Sequence, residues 1–166
     1  MIILFQQSEI GRIGIAEKDG AIANLCFPCD AVPVGAECGD TELLRDAFGQ
    51  LHAYLQGDIR VFDLPLDPAG TPFMRKVWRH VAAVPYGCTA SYRDIAMAAC
   101  RPKAWRAVGM ANRRNPIPLF IPCHRIVGSD GKPTGYRGGI MLKQALIDLE
   151  RCRYGPEFPD SFLPIP

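Results

Sequence analysis

The sequence predicts an α/β chain of the α+β kind: a small antiparallel sheet with one helix, then a helical part organised around a helix-turn-helix. Three observations carry this. Three strand-like apolar runs lie before Pro28, and helical periodicity with capping residues dominates after Asp40. The charge also reverses at Gly70: residues 1–70 hold 4 Lys and Arg against 11 Asp and Glu (−7), and residues 71–166 hold 15 against 6 (+9). The formal net charge of +2 conceals that asymmetry. The second part can bind a polyanion, because phosphate contacts supply most non-specific affinity for DNA, although an ordinary solvated surface has the same composition.

Ile2 to Gln6, Ile10 to Glu17 and Ala21 to Phe27 read as strands, with Asp19-Gly20 as a hairpin turn. Pro28 to Asp40, rich in Cys, Pro and Gly, reads as irregular. Thr41 caps a helix over Glu42 to Gln56, where Leu44, Phe48, Leu51 and Leu55 share one face and Gly57 is the stop. Val61 to Leu66 is a further strand interrupted by Pro65, and Asp67-Pro68-Ala69-Gly70 marks the boundary between a domain at 1–70 and a second at 71–153.

Thr71-Pro72 opens the next helix, cap followed by proline, with Phe73, Val77, Val81 and Val84 as its buried stripe and Trp78 in the core beside it. Ser91-Tyr92-Arg93-Asp94 is a capping box starting a helix to about Ala99. After a short turn at Cys100-Arg101, Pro102 begins another, reaching Asn112. Two helices joined that tightly suggest a helix-turn-helix, a pattern also found in proteins that never touch DNA. Small residues (Ala104, Ala107, Gly109, Ala111) lower part of the second helix, and Arg106, Arg113 and Arg114 surround it with positive charge. A long turn at Gly128 to Gly135 precedes a helix from about Ile140 to Cys152, whose apolar face is Leu142, Leu146 and Leu149. Residues 154–166 form a Pro-rich tail.

The chemistry concentrates between Asn115 and Val127. A thiol, Cys123, lies beside an imidazole, His124, and a guanidinium, Arg125, after an apolar run stiffened by Pro116, Pro118 and Pro122. Thiols ionise more readily next to cations, so these neighbours give Cys123 a reason to be reactive; the alternative is a buried, inert thiol. On an extended backbone adjacent side chains point apart, so His124 reaches Cys123 through a bridging water.

No run approaches the roughly 18 apolar residues of a membrane span, and Met1 to Phe5 lacks a signal peptide's basic segment. A cytoplasmic protein with no membrane partner is expected. Seven cysteines, an odd number, are expected to be reduced thiols. Cys26, Cys29, Cys38 and His52 do not follow the spacing of a structural zinc site, so no metal is expected.

Pro122-Cys123-His124-Arg125-Ile126-Val127, preceded by Asn115-Pro116, resembles the active-site signature of the O6-alkylguanine-DNA alkyltransferases, the self-methylating DNA repair proteins. The likeness runs through Pro85 to Tyr92, Arg106-Ala107-Val108-Gly109, the Cys motif and Gly135-Tyr136-Arg137-Gly138-Gly139 to Glu150, and is traceable before residue 70. It implies a ribonuclease-H-like N-terminal domain, a winged helix-turn-helix C-terminal domain, and a monomer that binds double-stranded DNA containing O6-alkylguanine through the minor groove. It also implies a single displacement onto Cys123, served by Glu150, His124 and water, with no cofactor. By the same resemblance the Tyr92 hydroxyl donates to guanine N3, the Cys123 and Ile126 carbonyls accept from its exocyclic amine, the Arg137 amide faces O6, and Tyr136 walls the pocket. Arg106 fills the gap left by the flipped base, Arg113, Arg114 and Arg125 contact DNA, and Asn115 ties backbone groups together. On periodicity alone Glu150 is a surface helix residue. Arg137 stands where some relatives have Ser, and Asn112 where relatives often have an apolar residue. The alternatives are a DNA-damage binder without transfer, a helix-turn-helix regulator with a sensor cysteine, and a cysteine hydrolase using His52 or His80.

Overall fold

The computed structural model describes residues 1–154, which fall into two compact units, Met1–Ala69 and the unit starting at Gly70. The Pro-rich tail lies outside the described residues, apart from Tyr154 at the end of the last helix. Among the described residues, no helix is long and apolar enough to cross a membrane.

In the first unit β1 (Ile2–Ser8), β2 (Gly11–Lys18) and β3 (Ala21–Cys26) form an antiparallel meander. Asp19 (φ 52°) and Gly20 (φ 78°) make the β2–β3 turn, and both positive values suit the twist of a two-residue hairpin. A two-residue strand, β4 (Glu37–Cys38), lies in the segment expected to be irregular; it pairs parallel with β1, giving the order β3-β2-β1-β4. Helix α1 spans Glu42–Gln56, with the Thr41 hydroxyl accepting from the Leu44 amide and Gly57 (φ 79°) terminating it. It packs Leu44, Ala47, Phe48, Leu51 and Tyr54 inward, so Tyr54 takes the place expected for Leu55.

The strand expected over Val61 to Leu66 does not form. Pro65 has no amide to donate, and pairing reduces to one bridge, Ile22 to Leu66, in which the Pro65 carbonyl accepts from Ile22 and Ile22 accepts from Asp67.

In the second unit α2 (Pro72–Ala82) starts from the Thr71 cap and buries Val77, Trp78 and Val81. Strand β5 (Ala90–Ser91) leads into α3 (Tyr92–Ala98), whose Ser91–Asp94 capping box is complete in both directions. Helix α4 covers Trp105–Arg113, three residues later than Pro102, because Arg101–Ala104 closes a turn of its own and Ala104 offers no side-chain cap. Helices α2, α3 and α4 pack mutually, and Trp78 Nε1 donates to the Ala111 carbonyl at 2.9 Å, fixing α4 on α2. The chain then passes a 3-10 turn (Cys123–Arg125) into β6 (Ile126–Val127), parallel to β5, and ends in α5 (Ile140–Tyr154).

The inward face of α5 differs from expectation. Lys143, Leu146, Ile147 and Glu150 are buried, whereas Leu142 and Leu149 are half-buried.

Candidate active site

The segment before Cys123 is built by one side chain. Asn115 Oδ1 accepts from the Ile117 amide at 3.1 Å and Nδ2 donates to the Ile121 carbonyl at 2.9 Å, closing a loop in which Ile121 also donates to Ile117 O at 3.0 Å. Leu119 sits inside it at φ 74°, a left-handed conformation that costs a branched residue roughly 1–2 kcal/mol and persists because its surroundings hold it. Pro122 (φ −78°, ψ 62°) forms an inverse γ-turn, the Cys123 amide donating to Ile121 O at 2.7 Å. The backbone at Cys123-His124 is therefore a tight turn and not the extended segment expected from the prolines.

Behind that turn lies a buried polar cluster. His124 Nε2 and Glu150 Oε1 are 2.8 Å apart, with His124 fully buried and Glu150 1% exposed. Glu150 also accepts from Arg125 Nε (3.0 Å), Arg125 Nη2 (3.0 Å) and the Gly87 amide (3.0 Å). Gly87 occupies the third position of the Pro85–Cys88 turn at φ 78°, which a glycine adopts without strain, and this aims its amide at the carboxylate. Arg125 Nη1 donates to Val84 O at 2.6 Å and its guanidinium lies 5.7 Å from the Tyr86 ring. Arg125 was expected at the DNA; it is instead 7% exposed, and its nitrogens serve Glu150 and Val84, so it clamps the Val84–Gly87 turn.

This network sets the protonation states. Burial pushes Glu150 up, but the hydrogen bonds and charges of His124 and Arg125 outweigh it and bring the carboxyl to about 2. Burial lowers His124 against the opposing pull of Glu150, favouring the neutral ring. A neutral imidazole that donates Nε2–H to a carboxylate carries its lone pair on Nδ1, which is then the basic nitrogen. Burial also raises the Cys123 thiol, opposed by the Asn115 hydrogen bond and by the charges of Lys143 and Arg137. The cations that act on the sulfur are thus these two, and not the sequence neighbours His124 and Arg125.

Cys123, 5% exposed, opens onto a cleft of about 560 Å³, a volume typical of small-molecule sites. Tyr92, Asn112, Arg113, Asn115, Tyr136 and Arg137 are among the residues that line it. The expected pocket residues Tyr92, Tyr136 and Arg137 are therefore gathered around the thiol. Thr134 Oγ1 donates to the Tyr92 hydroxyl at 3.1 Å, Arg137 Nη1 donates to Asn115 O at 3.1 Å, and the Tyr136 ring stands edge-on to His124 at 6.5 Å. Ile126 is buried in β6, its carbonyl accepting from Lys143 Nζ.

Two residues of this site have no role in the sequence reading, Lys143 being absent from it and Asn112 noted only as a departure from the family pattern. Lys143 is fully buried, donates to Ile126 O and, at 2.8 Å, to Thr134 O, and lies 5.9 Å from the Tyr92 ring; burial lowers it to about 8 against the attraction of Cys123. Asn112 donates Nδ2 to the Cys123 carbonyl at 3.2 Å. The available signal for Lys143 was its place seven residues before Glu150 on one helix face.

On the outer face of α4, Trp105, Arg106, Met110 and Arg113 are exposed, as is Arg114 beyond its end, and the Arg106 guanidinium stacks 4.8 Å from the Trp105 ring. Among the described residues no three His, Cys, Asp or Glu side chains converge as a metal site, and none of the seven cysteines is in a disulfide.

A helix-turn-helix with a basic outer face, a buried carboxylate-imidazole pair and a thiol at the mouth of a cleft are the features of a DNA-handling protein with a nucleophilic thiol. Residues 72–152 match the DNA binding domain of 6-O-methylguanine DNA methyltransferase, and residues 1–68 match the ribonuclease-like domain of the same family. The chain belongs to the 6-O-methylguanine DNA methyltransferase family. It is 41% identical to the methylated-DNA--protein-cysteine methyltransferase of Methanosarcina barkeri over 87% of this chain and 93% of that one. It is 39% identical to the constitutive methylated-DNA--protein-cysteine methyltransferase of Bacillus subtilis, over 89% of this chain and 94% of the relative. The crystal structure of Mycobacterium tuberculosis OGT in complex with DNA superposes with a TM-score of 0.87 at 39% identity, covering 92% of this chain and 94% of that one.

Proposed function

We propose that this chain repairs double-stranded DNA by a single transfer of the alkyl group of O6-alkylguanine to Cys123. The observation that carries the reading is the 2.8 Å His124–Glu150 pair, which fixes the imidazole tautomer on the residue next to a thiol that faces a cleft of about 560 Å³. His124 Nδ1 takes the thiol proton through a water, and Glu150 stabilises the imidazolium. The sulfur then attacks the alkyl carbon: a C–S bond forms, the C–O6 bond breaks, and its electron pair stays on the purine. Proton balance is restored when guanine N1 is protonated. The thioether is stable, so each molecule acts once, and the acceptor is the protein itself with no cofactor.

Chemistry on a base needs that base outside the stack. In this reading α4 enters the minor groove, Arg106 occupies the space of the flipped nucleotide, and Arg113 and Arg114 contact phosphates. Tyr92, Tyr136, Arg137 and Ile126 hold the base, and the protein works as a cytoplasmic monomer. The domains at 1–70 and 71–153 divide the labour, the second carrying both the DNA-binding helices and the acceptor.

Intact mass after incubation with a duplex containing O6-methylguanine tests this. The expected result is one methyl group on the Cys123 peptide, stoichiometric and without turnover, with Cys123→Ala binding DNA but taking up nothing. Tight binding with unchanged mass would establish a binder in place of a transferase.

A further inference from the structure

We propose that Asn112 is a specificity-determining residue of the base pocket, its side-chain amide bridging the Cys123 main-chain carbonyl and the exocyclic amine of the flipped purine. The inference rests on the transfer reading above. Asn112 is 7% exposed on the inward side of α4 and lines the cleft beside Cys123. Its neighbours on that side, Val108 and Ala111, are apolar. Its Nδ2 donates to Cys123 O at 3.2 Å. That orientation is chemically required, because the carbonyl is an acceptor and the reverse would set two acceptors against each other. The amide oxygen is thereby directed elsewhere, and among the described residues Asn112 Oδ1 is buried with no hydrogen-bond partner.

A buried amide oxygen without a donor costs about as much as a lost hydrogen bond, a cost that an apolar residue at the same place would not carry. A ligand that brings a donor to this wall of the cleft recovers it. When O6 is alkylated, guanine N1 carries no hydrogen, so the exocyclic amine holds the base's only N–H donors. In the proposed complex one of its hydrogens goes to Ile126 O, the contact that the family resemblance implies. The other is there shared between Cys123 O and Asn112 Oδ1 as a three-centre bond, both groups belonging to residues that line the cleft. Lys143, holding Ile126 O from behind, and Asn112, holding Cys123 O, then fix both ends of the amine site. The pocket selects a purine with a 2-amino group.

The test compares single-turnover transfer to Cys123 from O6-methylguanine and from O6-methylhypoxanthine, which lacks the amine, in the same duplex. Asn112→Leu and Asn112→Ala are each measured beside the native chain, with thermal midpoints to confirm folding. Either substitution is expected to slow the O6-methylguanine reaction roughly tenfold and the O6-methylhypoxanthine reaction by less than about twofold, so the native preference collapses. Equal loss with both substrates, or a variant that loses its fold, would show that Asn112 serves only to hold the Cys123 loop and would overturn the inference. A native chain that takes no methyl group from either duplex would instead overturn the transfer reading, and this inference with it.

Discussion

Replacing Glu150 with glutamine keeps the side chain's shape and removes its charge. The native carboxylate accepts from His124 Nε2 at 2.8 Å, from Arg125 Nε and Nη2 at 3.0 Å each, and from the Gly87 amide at 3.0 Å. Burial opposes its ionisation, yet those partners hold the carboxyl at about 2 against an ordinary 4.5. Removing one partner of a buried, hydrogen-bonded ion pair costs roughly 3 kcal/mol, and the Glu150–Arg125 pair is of that kind. The folded value is depressed, so this contribution is complete above the unfolded value of 4.5 and is lost as pH falls toward about 2. Urea unfolding followed by tryptophan fluorescence, run from pH 7 down to pH 3, reads it directly. Glu150→Gln is expected to be less stable than the native chain by roughly 3 kcal/mol at pH 7, with the gap narrowing steadily below about pH 4.5. A gap under about 1 kcal/mol at pH 7, or one that stays constant down to pH 3, would refute the argument that this carboxylate is held by charge.

Lys143→Met removes a cation that stabilises the Cys123 thiolate, so alkylation of Cys123 by iodoacetamide should slow at pH 7; because native Lys143 loses its charge above about 8, the two proteins should converge there, and a constant difference would rule out a charge effect. Arg106→Ala should strongly slow transfer from duplex DNA while leaving reaction with O6-benzylguanine alone, which needs no base extrusion, nearly intact; equal loss in both would assign Arg106 to the fold. Trp78→Phe removes the donor to Ala111 O and should cost about 1 kcal/mol in chemical denaturation, and an unchanged midpoint would show that this bond does not hold α4 on α2.

Local rules were enough where an element carries its own punctuation. Thr41 and Gly57 bound α1, Thr71-Pro72 starts α2, and the Ser91–Asp94 box starts α3, because each signal is satisfied by backbone groups within a few residues. Val61 to Leu66 misled because an apolar run shows strand propensity but not whether a partner with a full row of donors lies beside it, and Pro65 removes one. Helix α5 misled for a different reason. Periodicity ranks leucines as inward and so points to Leu142, Leu146 and Leu149, whereas the helix turns Lys143 and Glu150 inward with Leu146 and Ile147. The groups that make those charges tolerable are Ile126 O, Thr134 O, His124, Arg125 and Gly87, all distant in sequence. Glu150 entered the reading through the family resemblance, Asn112 only as a departure from it and Lys143 not at all, and Arg125 was expected at the DNA whereas its partners make it a buried clamp.

Those buried charges bear on how a single-use acceptor survives until it meets its substrate. Every adventitious alkylation of Cys123 would consume a molecule, so a sulfur that is permanently ionised and open would be a liability. Burial holds this thiol above its ordinary range, and burial equally keeps His124 neutral, so the resting pair is a neutral thiol and a neutral imidazole. Lys143 and Arg137 sit on the opposite side of the balance, favouring the thiolate. A base entering the cleft displaces water, so the developing negative charge is met by these two fixed cations in place of solvent. In the proposed transfer the neutral imidazole removes the proton while Glu150, already ionised and held by Arg125, stabilises the cation that forms. Reactivity in this reading is conditional on occupancy, and the cations that favour the thiolate, Lys143 and Arg137, lie outside the Cys123-His124-Arg125 motif.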